Sequence, residues 1–125
     1  MWVGLRQGRW LPTASGVLLQ FAAAVAYLAQ RDAQLAVIPV ANAQCVGALL
    51  LAIAGLISAR VAALPGSILQ RLGHAPASLL LAWGLAWWLY AGVNEVQDFL
   101  PRAWQSGALL VLVAATALAC GALAR

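Results

Sequence analysis

Residues 77–93 read ASLLLAWGLAWWLYAGV, and this stretch decides the fold. It carries no charge and holds Trp83, Trp87, Trp88 and Tyr90. A helix on the surface of a water-soluble protein keeps a polar stripe toward solvent. Wound at about 3.6 residues per turn, residues 77–93 have no such stripe, because every direction is apolar. A rod of this kind needs apolar matter on all sides, either a large core or lipid. A chain of 125 residues has too little other material to wrap it, so the sequence points to lipid.

The composition agrees. The chain is 65% hydrophobic and 8% charged, with mean hydropathy +0.91. Soluble domains carry roughly 25% charged residues, and a globule of this size cannot coat itself in water with so few. No segment alternates with period two as a barrel strand would, and an open sheet cannot span lipid. The expected class is therefore an all-α integral membrane protein with a single membrane domain over residues 1–125. The formal net charge is +4. The seven arginines are scattered, with no cluster to follow a phosphate backbone, so no nucleic-acid partner is expected.

Four spans emerge outward from the quoted stretch. Residues 11–29 form the first, preceded by Arg6 and Arg9 between Trp2 and Trp10, a pairing suited to the membrane–water boundary. The apolar run of about 19 residues is longer than the 7–15 of a signal-peptide core, so a retained span is expected. Residues 41–59 form the second. It has Asn42 and Gln44 at its start and a stripe of small residues, Gly47, Ala48, Ala52, Gly55 and Ala59, where another helix can approach. Residues 77–93 are the third and 103–123 the fourth. Each is close to the ~20 residues needed to cross ~30 Å of hydrocarbon. Ser67 is placed to cap one or two turns at the membrane surface, and residues 94–104 read as a polar link.

An antiparallel up-down bundle of four helices puts both termini on one side. That side then carries Arg6, Arg9, Arg60, Arg71 and Arg125. The other side carries Arg31, Arg102, Asp32, Glu95 and Asp98. Arginine-rich short loops stay in the cytoplasm, so both termini are expected there, in a bacterial inner membrane.

Candidate chemistry is sparse. Glu95 and Asp98 share a helix face if the turn continues. With Asn94, and with Asn42 and Gln44 nearby, they read either as an outer-mouth polar cluster for a cation or proton, or as a wetted link with one acid facing Arg102. Gln20 falls at mid-depth, where an amide needs a partner. Thr116, at similar depth, is the expected one, as helix-packing glue. His74 has no second metal ligand beside it. Cys45 and Cys120 differ in depth by about 20 Å at 1.5 Å per residue, which excludes a disulfide between them. No phosphate-binding glycine loop, metal-ligand pattern or nucleophile–base–carboxylate set occurs. No enzyme activity, cofactor or metal site is expected.

Two strings carry a resemblance. GLRQGRWLPTASGVLLQFAAAVAYL (residues 4–28) and LLLAWGLAWWLYAGVNEV (residues 79–96) resemble a region of a bacterial family of multi-pass membrane proteins, known as domain of unknown function 2339. The shared features are Leu5-Arg6-Gln7, Gly16 with Leu19-Gln20, and Trp83-Gly84 with Trp87-Trp88 followed by Gly92 and Glu95. Members are far longer, so the resemblance implies a piece or short relative of such a protein. It implies no activity and no site residues. The leading expectation is a structural or assembly component whose partners are the bilayer and other transmembrane helices, from itself or from the remainder of a larger protein. The alternative is a small transporter or channel acting as an oligomer. Small four-span exporters, however, rely on an acid inside the first span, where this chain has Gln20.

Overall fold

The computed structural model describes residues 10–29, 38–65, 67 and 74–123, with backbone alone for 10–13 and 123. It is all-helical, with α1 (Trp10–Ala29), α2 (Ala43–Ala62), α3 (Ala75–Phe99) and α4 (Arg102–Leu123). Three of these, α2, α3 and α4, are long and apolar enough to cross a membrane; the described apolar part of α1 is Ala14–Ala29. Arg6, Arg9, Arg31, Asp32, Arg71 and Arg125, which carry most of the sidedness reading, lie outside the described residues.

Local chemistry sets the helix ends. Asn42 caps α2, its Oδ1 accepting from the Cys45 N–H at 2.6 Å, one of the orphan donors of a first turn. Ser67 is expected to cap turns that lie outside the described residues. Its hydroxyl donates to the Ala62 carbonyl at 2.6 Å and so closes the C-terminus of α2. Pro76 sits in the first turn of α3, where a missing N–H costs nothing. The expected polar link over residues 94–104 is corrected. Asn94 to Phe99 continue α3, and only Leu100 and Pro101 separate it from α4. Proline cannot extend the helix before it. Gln105 then donates from Nε2 to the carbonyls of Leu100 (3.0 Å) and Gln97 (3.3 Å), which closes the hairpin.

Packing centres on α2 against α3, far the closest helix pair. Ala48, Ala52, Gly55, Ala59 and Ala62 are all buried along α2. They face a line of Leu80, Gly84, Trp87 and Ala91 on α3. The backbones nearly touch where Gly55 meets Gly84: a Cβ built on Gly55 would lie 2.7 Å from the Gly84 Cα, and one on Gly84 would lie 2.7 Å from the Leu56 nitrogen. Gly47, expected on the same stripe, points elsewhere. A Cβ there would meet the Tyr27 ring of α1 at 2.8 Å.

An aromatic seam joins α1 to α3. Phe21 stacks tilted on Trp83 at 4.5 Å, and Tyr27 meets Trp87 edge-on at 5.5 Å. Trp83, Trp87 and Tyr90 continue the seam along α3 by mutual edge contacts at 5.8 and 5.4 Å, the geometry that ring quadrupoles favour. The outermost helix, α4, rests on α3. Among its described side chains none is buried.

Substituting Gly55 with Ala should therefore lower stability by about 1–3 kcal/mol, the usual cost of overpacking, because the clash is with backbone. Gly107→Ala, with open space around the new methyl, should be neutral or stabilise by about 0.5–1 kcal/mol. Unfolding by denaturing-detergent titration separates the two. Equal responses would contradict the crossing.

Candidate functional site

The polar residues of the sequence gather at the end of the bundle where α1 and α3 finish and α2 begins. Asn42 holds three positions together. Besides capping α2, its Nδ2 donates to the Ile38 carbonyl at 3.2 Å and to Glu95 Oε1 at 2.5 Å. The second carboxylate oxygen of Glu95 accepts the Val40 N–H at 2.8 Å. Glu95 thus reaches across from α3, one oxygen on a side chain and the other on a backbone amide.

The clasp has a backbone consequence. Val40 adopts φ 61°, a left-handed conformation that β-branched residues rarely take. The Ala41 N–H donates to the Pro39 carbonyl at 2.6 Å across it, a three-residue turn of the rare, strained kind. Such a conformation persists when the surroundings fix it, and here Glu95 holds the Val40 N–H at the turn's centre and the Asn42 amide just after it. Asn94, Glu95 and Asp98 all lie in the last turns of α3. Glu95 binds the residues leading into α2, and Asp98 is exposed one turn further on. Gln44 contributes its backbone carbonyl, which accepts the Tyr27 hydroxyl at 2.8 Å and ties α1 to α2 at the same level. Cys45 is buried and Cys120 exposed, both as free thiols. Among the described residues no group of three His, Cys, Asp or Glu is arranged to hold a metal ion.

The two mid-depth residues do not meet each other. Gln20 donates from Nε2 to the Ser58 hydroxyl at 2.6 Å and to the Ala54 carbonyl at 3.3 Å, linking α1 to α2. Its Oε1 is buried without a hydrogen bond. Thr116 instead links α4 to α3: it accepts the Trp88 indole N–H at 3.1 Å and returns its own proton to the Leu112 carbonyl at 2.7 Å. Thr116 is thus corrected from partner of Gln20 to partner of Trp88. Ser58 is the residue that sequence reasoning missed. The signal was available, since it is the one hydroxyl in α2.

A second feature lies at the opposite end. An apolar groove of about 660 Å³ opens between α2, α3 and α4, with Leu56, Leu81, Leu85 and Leu112 among its walls and Arg60 at its rim. The chain matches no known protein family, no curated protein and no solved structure.

Replacing Glu95 with Ala should cost about 1.5–3 kcal/mol, the range for hydrogen bonds to a charged group, and should free the turn at Val40. In a Cys120→Ser background this appears as faster maleimide labelling of Cys45, while Asp98→Asn leaves the rate unchanged. A double-mutant cycle on Gln20 and Ser58 should return a coupling of about 0.6–2 kcal/mol, typical of hydrogen bonds between membrane helices. The same cycle on Gln20 and Thr116 should return none.

Proposed function

We propose that this chain is a four-span protein of a bacterial inner membrane, both termini cytoplasmic, that acts as a structural or assembly component rather than a catalyst. The observation that carries the reading is the apolar exterior. Leu118 is 75% exposed, Leu110 72% and Val111 69% on α4, and Leu79 is 71% exposed on α3. Contiguous apolar surface of this kind needs a membrane or a protein partner to cover it. A fourth span at α1 is supported by its 20 helical residues. Three spans would part the two termini, and the arginines would lose their sorting.

The partners in this reading are lipid and other transmembrane helices, from a second copy or from the rest of a longer protein. The resemblance of residues 4–28 and 79–96 to the multi-pass bacterial family favours the latter, and it stands here as a proposal. Within that reading the polar groups serve assembly. Gln20, Thr116 and Glu95 each join two helices, and none is left as a mobile charge in the hydrocarbon.

Reporter tags fused at the head and the tail should both locate to the cytoplasm, and a tag on opposite faces would overturn the topology. Photo-crosslinkers on the outward face of α4, at Leu110 or Leu118, should capture protein in native membranes. Capture of lipid alone at every outward position would defeat the assembly role while leaving the membrane placement intact.

A further inference from the structure

We propose that the groove between α2, α3 and α4 binds one acyl chain of an anionic glycerophospholipid, with the lipid phosphate on Arg60; this rests on the membrane reading above. Three observations carry it.

The first is shape. On α3 the groove runs from Ala77 to Trp88, and on α4 from Leu112 to Cys120. At 1.5 Å per residue that is about 16 Å along α3 and about 12 Å along α4. Half of a ~30 Å hydrocarbon core is about 15 Å. The groove is therefore as deep as one leaflet, and it starts at the helix ends, where that leaflet meets its headgroups.

The second is the chemistry of the walls. They are mostly leucine and alanine, with the Trp88 ring and the Cys120 thiol, and the two hydroxyls that line them are already used. Ser78 donates to the His74 carbonyl. Thr116 accepts from Trp88 and donates to Leu112. Nothing along the walls invites water or a polar ligand, so an alkyl chain is the occupant they fit.

The third is charge. Arg60 lines the rim, is exposed, and among the described residues forms no hydrogen bond or ion pair. It lies in the last turn of α2, at headgroup depth when the groove spans a leaflet. A guanidinium binds a phosphate oxygen pair in a fork that a lone amine cannot match. A zwitterionic headgroup would bring its own cation to the same rim, so an anionic lipid is preferred.

Trp88 lines the groove, which makes it a built-in probe. The full chain is reconstituted in phosphatidylcholine vesicles containing a low mole fraction of either dibrominated phosphatidylglycerol or dibrominated phosphatidylcholine. Bromines quench a tryptophan they touch. The Trp88 contribution is the difference between the chain and its Trp88→Phe variant. Quenching of that contribution should favour the anionic lipid by about fivefold, the usual value of one basic residue at an anionic surface. Arg60→Gln should abolish the preference. Ala119→Phe, which fills the groove from the α4 wall and keeps Trp88, should abolish it as well.

Equal quenching by the two lipids, or a preference that survives Arg60→Gln, overturns the proposal but spares the membrane reading. Trp88 left unquenched while a bifunctional maleimide joins two copies through Cys120 shows that a second copy fills the groove, which also overturns it. If no tryptophan of either protein is quenched by either lipid, the chain is not inserted, and the membrane reading falls with the proposal.

Discussion

Gly55 and Gly84 bring two helix backbones so close that neither position has room for a methyl group. Most of the architecture follows from that contact. Lipid tails are as apolar as leucine, so helices in a bilayer gain little by hiding apolar side chains from it. What holds them is close van der Waals contact, and contact is closest where side chains are smallest. Around this crossing the buried positions of α2 are mainly alanine: Ala48, Ala52, Ala59 and Ala62. The large residues are pushed to the flanks. Trp83, Trp87 and Tyr90 are turned toward α1, where Phe21 and Tyr27 receive them. The tight pair α2–α3 is thus the keel, and α1 is seated against it through rings and not through backbone.

Hydrogen bonds then set register along the helices. Tyr27 on Gln44 and Gln20 on Ser58 fix α1 against α2 at two levels. Asn42 and Glu95 fix α2 against α3 at one end, and Trp88 with Thr116 fixes α3 against α4. Each is worth little alone, since such bonds average about 0.6 kcal/mol in membrane proteins. Their value is directional. A helix pair held only by smooth alanine surfaces could slide, and a single donor–acceptor pair at a fixed depth stops it. The clasp at Glu95 also bears on local strain, because it holds Val40 in a turn that the residue would otherwise avoid.

Helix placement was legible in hydropathy. The expected spans 41–59, 77–93 and 103–123 each fall on a helix that is long and apolar enough to cross. What hydropathy cannot convey is direction around a helix axis. Gly47 and Gly55 look like one stripe because they are eight residues apart, yet eight steps of about 100° leave them about 80° apart. One faces α1 and the other α3. Gln20 and Thr116 share a depth but sit on helices with α2 and α3 between them, so each found a nearer hydroxyl or indole. The end of α3 was hidden for a different reason. Asn94, Glu95 and Asp98 are too polar for a span, but nothing prevents a helix from running on past the hydrocarbon, and Glu95 needs that extra turn to reach Asn42.

The loose seating of α4 follows from the same physics that makes the keel tight. In water, the open cleft beside Leu81 and Leu112 would collapse, since each exposed methylene costs about 0.8 kcal/mol. In a bilayer that drive is absent, and only packing quality favours closure. The α4 wall offers Ala115 and Ala119 toward the groove, but across from them stand Leu81 and Leu85, not a facing glycine, so the helices cannot repeat the Gly55–Gly84 approach. At Gly92 it is the Leu112 side chain, and not the α4 backbone, that comes up against α3. The two helices therefore leave a groove between them beside Ala115 and Ala119. A gap that the protein cannot close by its own packing, in a solvent made of chains, is a gap that a chain fills.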